Sequence, residues 1–187
     1  MKLDHFGLIA PLYDRYASDA VPEDLLRLVD AGRGSRLLDG GGGTGRIAQV
    51  FAGQGVNVYV ADLSIVMARL AIKKDHVAAV CAMAEHSPFS DGFFDRIIMV
   101  DAFHHVVSQK NTVEELWRLL KPGGRMVIEE PDIRTNGVKM IAVAEKILLM
   151  CSHFFSPDKI MALFDGKSAD VRIEAKENTA WVVANKK

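Results

Sequence analysis

A run of glycines preceded by an acidic residue is the part of the sequence that most clearly suggests chemistry. The segment LLDGGGGTG, residues 37–45, places four consecutive glycines after Asp39 and another at Gly45. Glycine loses more backbone entropy on folding than any other residue, so such a run is typical of a turn that a ligand approaches closely. The spacing Gly-x-Gly-x-x-Gly, through Gly40, Gly42 and Gly45, is by itself weak evidence for any one nucleotide.

Two acidic residues narrow the choice of ligand. Asp39 ends a predicted strand beside the glycines, where it would repel a pyrophosphate and favour a cationic group. Asp62 ends the next predicted strand about 20 residues on, where a carboxylate can accept hydrogen bonds from both ribose hydroxyls. These features together indicate an adenosine ligand whose other end is an amino acid. S-adenosylmethionine has those parts.

A second group of polar residues follows two later predicted strands, in VDAFHHV and IEEPDI. In an open parallel sheet, ligands bind beyond the carboxyl ends of the strands, so these residues are expected at the same rim as the glycines. Side chains alternate along a strand, so Glu129 and Glu130 are expected on opposite faces. Acidic and histidine side chains at such a rim can bind a polar acceptor or remove its proton. The candidates for catalysis are Asp101, His104, His105 and Glu130.

Composition excludes several classes of protein. The chain has 187 residues, 49% of them hydrophobic, with a formal net charge of -1, which argues against a broad surface for nucleic acid. Two cysteines, Cys81 and Cys151, lie far apart without ligand spacing, so neither a disulfide framework nor a metal site is expected. The N-terminus carries charges and lacks the apolar core of a signal peptide, and the longest apolar stretch is too short to span a bilayer. A cytoplasmic protein without stable membrane insertion is expected.

Short apolar runs alternate with segments of helical periodicity, which predicts an α/β fold with a parallel sheet covered on both sides. The pattern breaks near the C-terminus, where a strand pair joined by a turn around Lys176 to Asn178 predicts an antiparallel hairpin. The predicted strands are 36–39, 56–62, 76–83, 93–101, 124–130 and the hairpin 169–186. The predicted helices are 22–32, 44–55, 63–75, 111–121 (stopped by Pro122, Gly123 and Gly124), and one longer and one shorter helix within 136–164.

Four ordered segments resemble the class I S-adenosylmethionine-dependent methyltransferases. LLDGGGGTG resembles the first motif of that family, and ADLSIVM its second-strand segment. AEHSPFSDGFFDRIIMVDAFHHV is similar to the region around the fourth strand, and LWRLLKPGGRMVIEE to the entry of the fifth. The N-terminal YDRYA, residues 13–17, resembles the segment that often covers the cofactor. The closest similarity is to the small-molecule branch that includes the ubiquinone/menaquinone C-methyltransferases.

The resemblance implies a three-layer, Rossmann-like α/β fold with a seven-stranded, mostly parallel sheet and an antiparallel C-terminal hairpin strand. It implies one domain, residues 1–187, with an N-terminal helical cap at 1–33 and a helical insert at 133–166. The family usually has a bulky apolar residue at Gly40 and often an aspartate at Met83, so this chain departs from it at both positions. The implied cofactor-binding residues are Tyr13, Asp39, Gly40, Gly41, Gly43, Gly45, Asp62, Leu63, Met83, Ala84, Glu85 and Asp101.

The implied activity is transfer of the sulfonium methyl group of S-adenosyl-L-methionine to a small, partly apolar molecule by in-line displacement, with S-adenosyl-L-homocysteine as product. No nucleic-acid partner is expected, because DAFHH replaces the Asn/Asp-Pro-Pro-aromatic signature of exocyclic-amine nucleic-acid methyltransferases. A homodimer is compatible with the apolar insert. Two alternatives stay open from the residues alone. They are an NAD(P)-dependent oxidoreductase, which would share the glycine loop and Asp62, and a cofactor-binding subunit without transfer activity.

Overall fold

The computed structural model describes residues 21–135, 137–139 and 153–187. Seven strands form one sheet in the order β3-β2-β1-β4-β5-β7-β6. The first five strands pair in parallel, and β7 is antiparallel to both of its neighbours. The mostly parallel sheet with an antiparallel C-terminal hairpin is therefore confirmed. The strands are β1 (Arg36–Gly40), β2 (Asn57–Asp62), β3 (Val77–Cys81), β4 (Phe94–Val100), β5 (Leu120–Pro131), β6 (Ala169–Lys176) and β7 (Thr179–Lys186).

Helices cover both faces of the sheet, which makes the three layers that the alternating pattern predicts. One buried apolar layer contains Leu25, Phe51 and Trp181, and the other, on the opposite face, contains Phe94 and Leu116. The segments with helical periodicity have one face of apolar residues, and burial of that face against the sheet stabilises them. The helices are α1 (Glu23–Val29), α2 (Arg46–Gly53), α3 (Ile65–Ala71), α4 (Gln109–Leu119) and α5 (Pro157–Ala162), with a 3-10 turn at Phe103–His105.

Four predicted helix ends are wrong. Helix α1 ends at Val29 and not at Gly32, and helix α2 ends at Gly53 and not at Gly55. Helix α4 ends at Leu119, before the proline and glycines expected to stop it, because Leu120 already pairs with Phe94 as the first residue of β5. Strand pairing therefore ends the helix. Helix α3 ends at Ala71 and does not reach residue 75. The cap and the insert are described only at 21–33, 133–135, 137–139 and 153–166, so the longer helix predicted in the insert lies largely outside the described residues.

The sheet order reverses between β1 and β4, and such a reversal leaves a crevice at the carboxyl ends of the strands. In the register of these strands, Asp39 on β1 lies beside Ile98 on β4, and Val100 lies beside Glu129 on β5. The last residues of β1, β4 and β5 therefore meet at one rim. Within the part of the chain that is described, no helix is long and apolar enough to cross a bilayer.

Candidate functional site

The glycine run forms a tight turn between β1 and α2. Gly41, Gly43 and Gly45 have positive φ values of 72°, 55° and 76°, a backbone region that side chains other than glycine rarely adopt. A Cβ atom at Gly41 would lie 2.6 Å from the Cβ of Ala102, so the turn packs closely against the chain leaving β4. The turn therefore requires glycine for its shape and for its fit against the next strand.

Asp39 is the group in this turn that most clearly lacks a partner. Its side chain is buried, with 2% of the residue exposed, and its Oδ2 atom has no hydrogen-bond partner among the described residues. Burial, reinforced by the negative charge of Asp62, raises the pKa of Asp39 to about 7, although Arg46 and the backbone of Ala48 oppose the rise. Buried polar groups are normally satisfied, so an orphaned carboxylate oxygen at a rim marks a place for a donor.

The main chain of Gly42 packs directly against the carboxylate of Asp39. A Cβ atom at Gly42 would lie 2.5 Å from the Cγ of Asp39 and 2.6 Å from its Oδ2, closer than atoms can approach. Only a residue without a side chain can follow the carboxylate so closely. A cationic donor such as an α-ammonium group has the charge that this carboxylate would attract, whereas a phosphate would meet like charge. The sequence reasoning did not assign Gly42 to the site.

Asp62 holds the turn from the neighbouring strand. Its Oδ2 accepts a hydrogen bond from the Gly43 amide at 2.9 Å, and its Oδ1 accepts one from the Ser64 amide at 2.8 Å. The side chain of Ser64 in turn caps helix α3 by accepting from the Met67 amide at 3.4 Å. The carboxylate thus links β2, the glycine turn and α3, and it stays half-buried at the rim.

Apolar side chains are exposed next to Asp62. Leu63 is 68% exposed and Met83 is 41% exposed, at the ends of β2 and β3. The amide of Ala82 donates to the Asp62 carbonyl at 3.0 Å, which holds these two strand ends together. Exposed large apolar residues beside a polar rim are typical of a ligand-binding surface, and a flat ring between Leu63 and Met83 would cover both. Ala84 follows in a half-buried turn.

The carboxylate of Glu85, a residue expected to bind the cofactor, accepts hydrogen bonds from main chain. Its Oε1 accepts hydrogen bonds from the amides of Val107 at 2.8 Å and Ser108 at 3.0 Å. These two residues immediately precede helix α4. Glu85 therefore joins the turn after β3 to the segment after β4.

A buried histidine and glutamate face the second side of the rim. His104 Nδ1 lies 2.6 Å from Glu130 Oε2, and both side chains are 5% exposed. Glu130 also accepts the Phe103 amide at 2.8 Å, which holds its carboxylate in place. Phe154 stacks on the His104 ring with centroids 4.3 Å apart, and the His105 ring lies 4.0 Å away on a tilt. The contact with Glu130 therefore holds the His104 ring through Nδ1.

Asp101 adopts a left-handed backbone conformation at the end of β4, with φ of 49°. Residues other than glycine in this conformation carry strain and concentrate at functional sites. The Asp101 amide donates to the carbonyl of Glu129 at 3.0 Å, so β5 holds the strained residue in place, with its side chain exposed at the rim.

Glu129 is a second buried carboxylate that the sequence reasoning left out of the site. Its side chain accepts a hydrogen bond from Nε1 of Trp181, on the face of the sheet opposite Glu130, as strand alternation predicts. Burial, with the charge of Asp101 adding to it, raises the pKa of Glu129 to about 7. The signal that could have located it is the single tryptophan of the hairpin, whose indole needs an acceptor when buried.

The structure thus brings most of the predicted site residues to one rim. Tyr13 lies outside the described residues, and Glu85 joins the turn after β3 to the segment after β4. The glycines, Asp39, Asp62, Leu63, Met83, Ala84 and Asp101 surround the β1–β2–β4 crevice, while His104, His105 and Glu130 line the β4–β5 side. No cluster of three or more potential metal ligands occurs in residues 21–135, 137–139 and 153–187.

Comparison with known proteins points to a class. A family model described as a methyltransferase domain matches residues 38–128, the region that holds the glycine turn, Asp62, Asp101 and most of strand β5. This region of the chain is therefore similar to methyltransferase domains, in agreement with the motifs that resemble the class I S-adenosylmethionine-dependent methyltransferases.

Individual relatives refine this likeness. The ubiquinone/menaquinone biosynthesis C-methyltransferase UbiE of Pectobacterium carotovorum is 34% identical over 108 residues, which cover 52% of this chain and 43% of that protein. The chain thus spans about half the length of the curated relatives it matches. An S-adenosylmethionine-dependent methyltransferase of Thermotoga maritima superposes with a TM-score of 0.78 at 21% identity, over 97% of this chain and 98% of that one.

A chain of the complex between the Haloferax volcanii Trm112 methyltransferase activator and a methyltransferase superposes with a TM-score of 0.83 at 17% identity, over 99% of both chains. At these identities the two solved structures establish the fold alone.

Proposed function

We propose that this protein transfers the methyl group of S-adenosyl-L-methionine to a small, partly apolar molecule by in-line displacement. The observation that carries the proposal is the buried carboxylate of Asp39, whose Oδ2 has no partner in the described chain and lies directly against the glycine turn at Gly42. An α-ammonium group satisfies that oxygen, and its positive charge stabilises the ionised form of a carboxylate whose pKa burial raises to about 7. A dinucleotide would instead place its anionic pyrophosphate at this turn, beside the like charge of Asp39.

The remaining cofactor residues follow from this placement. The turn at Gly41, Gly43 and Gly45 lets the amino-acid tail of the cofactor approach main chain at the start of α2. Asp62 offers carboxylate lone pairs to the ribose hydroxyls while keeping its bonds to the Gly43 and Ser64 amides. Leu63 and Met83 contact the two faces of the adenine.

When bound, the cofactor supplies an activated sulfonium methyl group, so the protein needs chiefly to align the acceptor with it. Holding reacting groups in line can contribute on the order of 7–11 kcal/mol. Asp101, His104, His105 and Glu130 are the residues proposed to face the acceptor. Glu130 fixes the orientation of the His104 ring through Nδ1.

The acceptor we propose is small and partly apolar. Phe154 and the exposed Val107 lie beside the histidine pair, so an apolar ring has surface to contact there. The name of the Pectobacterium relative gives ubiquinone and menaquinone biosynthesis as its pathway, so demethylated quinols are sensible first acceptors to assay. We propose no nucleic-acid partner, in keeping with the formal net charge of -1.

A thermal-shift comparison tests the cofactor assignment. S-adenosyl-L-homocysteine at saturation should raise the unfolding temperature, because a ligand that binds only the folded state stabilises it by mass action, while NAD should not. Stabilisation by NAD, or enhanced NADH fluorescence on mixing, would favour the oxidoreductase alternative. Binding of S-adenosyl-L-homocysteine without methyl transfer to any acceptor in a broad small-molecule screen would favour a cofactor-binding subunit.

A further inference from the structure

The segment that carries Met83 and Ala84 is attached to helix α4 at two separate places. We refer to residues 82–93, between β3 and β4, as the β3–β4 loop. Its outer attachment lies on the third turn of α4, where Glu115 Oε1 accepts the Ser87 amide at 2.9 Å. Arg118 donates to the Phe89 carbonyl at 3.1 Å and pairs with both oxygens of Glu115 at 2.7–2.8 Å. This attachment holds the body of the loop against α4.

The inner attachment lies at the rim and depends on one side chain. Glu85 Oε1 accepts the amides of Val107 and Ser108, and Ser108 is the N-cap residue of α4, whose own hydroxyl accepts the Asn111 amide at 3.3 Å. A carboxylate that accepts backbone amides forms charge-assisted hydrogen bonds, which are stronger than neutral ones. Without the Glu85 carboxylate, the amides of Val107 and Ser108 would have only water as an acceptor, since Val107 is 71% exposed.

The two ends of this inner attachment belong to different halves of the site. Glu85 follows Met83 and Ala84, which we assign to the adenine of the cofactor. Val107 and Ser108 follow His104 and His105, which we assign to the acceptor. Glu85 therefore connects the turn at Met83 to the segment that begins with the histidine pair.

We propose that Glu85 is a positioning residue that couples the adenine side of the site to the acceptor side. The proposal rests on the proposed function, because it assigns the adenine to Leu63 and Met83. It assigns Glu85 no contact with the cofactor. The outer attachment through Glu115 and Arg118 keeps the β3–β4 loop folded when Glu85 is replaced, so the loss of coupling can be separated from the loss of structure.

Amide exchange followed by NMR tests the coupling. In the wild-type protein, saturating S-adenosyl-L-homocysteine should slow hydrogen exchange at the Val107 and Ser108 amides by about tenfold, since ordering the turn strengthens their hydrogen bonds. In Glu85→Ala these two amides should exchange faster without ligand, and ligand should no longer slow them. Glu85→Gln keeps a carbonyl oxygen for both amides and should restore most of the protection.

The controls separate the possible failures. Glu23→Ala, on the exposed start of α1, removes a carboxylate of the same size and should behave as wild type. Calorimetric titration of each variant reports whether S-adenosyl-L-homocysteine binds. No binding to the wild-type protein would overturn the proposed function. A different result would overturn only the coupling role of Glu85. In that result, Glu85→Ala binds S-adenosyl-L-homocysteine normally, and the ligand protects the Val107 and Ser108 amides as it does in wild type.

Discussion

Two buried carboxylates in this molecule have opposite electrostatic surroundings. Glu115, on α4, is 9% exposed and has a guanidinium and a backbone amide as partners, and the hydrogen bonds from Arg118 lower its pKa. Asp39, at the end of β1, is 2% exposed, leaves Oδ2 without a partner among the described residues, and has a pKa raised by burial to about 7. Both acidic residues are buried in the same fold, yet only Glu115 has partners for both of its carboxylate oxygens.

This difference distinguishes a residue that stabilises the fold, Glu115, from a residue expected to bind a ligand, Asp39. A buried charge that is paired and hydrogen-bonded holds two elements together, and its partners are all within the protein. A buried charge without a donor costs folding free energy unless a ligand supplies one. We therefore expect replacement of Glu115 to weaken the fold, and replacement of Asp39 to weaken cofactor binding without weakening the fold.

The largest expected effect is on cofactor affinity in Asp39→Asn. The amide keeps the size of the side chain but loses the charge that faces the α-ammonium group. Loss of a buried charge-assisted hydrogen bond of about 2–3 kcal/mol corresponds to roughly 100-fold weaker binding of S-adenosyl-L-homocysteine. Isothermal titration calorimetry at pH 8 measures it. Affinity within threefold of wild type would remove Asp39 from the site.

Replacement of Glu115 should lower the stability of the fold. Glu115→Gln leaves the Arg118 guanidinium without a carboxylate on α4, and we expect the free energy of unfolding to fall by about 2 kcal/mol. Urea denaturation with an unchanged m-value measures the loss. Calorimetry on the folded variant should give the wild-type dissociation constant for S-adenosyl-L-homocysteine. Weaker binding in Glu115→Gln would contradict the expectation that Glu115 stabilises the fold without affecting cofactor binding.

Affinity should also depend on pH through Asp39. Because the pKa of Asp39 is raised to about 7, its carboxyl group in the unliganded protein holds a proton at lower pH. This proton must leave before an ammonium group can bind to the carboxylate. Binding of S-adenosyl-L-homocysteine should therefore tighten by about tenfold from pH 6 to pH 8 and level off above that. Glu129, with a pKa also raised to about 7, is the matched control. Glu129→Gln should keep most of this dependence, and Asp39→Asn should lose most of it.

The smallest effect is on the unliganded fold. The pKa of Asp39 is higher in the folded state than in the unfolded state, so between about pH 4 and pH 7 the folded protein keeps a proton that the unfolded chain releases. The free energy of unfolding therefore falls as pH rises from about 4 to about 7. Asp39→Asn removes this loss, which for a pKa raised from 3.8 to about 7 is at most roughly 4 kcal/mol. It also leaves a buried amide unsatisfied, however, so at pH 8 the variant should be only about 1 kcal/mol more stable than wild type. A less stable variant in chemical denaturation would indicate a structural role for Asp39.

The sequence predicts much of this arrangement because the relevant signals are local. Strands of buried residues, the glycines of the turn and the acidic residues that end β1 and β2 each depend on short-range preferences and on the shared polarity of parallel strands. The α4 end at Leu119 was mispredicted because pairing between Leu120 and Phe94 overrides the local proline and glycine signal.

Long-range contacts account for what the sequence missed at the site. The 2.5 Å approach of a Cβ at Gly42 to Asp39, the link from Glu85 to residues 107–108, and the bond between Trp181 and Glu129 join positions brought together only by the fold. Composition and periodicity indicate which residues are polar or small. They do not indicate where a carboxylate finds its partner.

Proton release on binding is the most direct test of the role of Asp39. Calorimetric titration of S-adenosyl-L-homocysteine at pH 6.5, in buffers of different ionisation enthalpy, measures how many protons leave the protein. We expect wild type to release a substantial fraction of one proton, Glu129→Gln to release nearly as much, and Asp39→Asn to release far less. Binding without proton release by wild type, or with equal release by Asp39→Asn, would contradict an ammonium group seated on the Asp39 carboxylate.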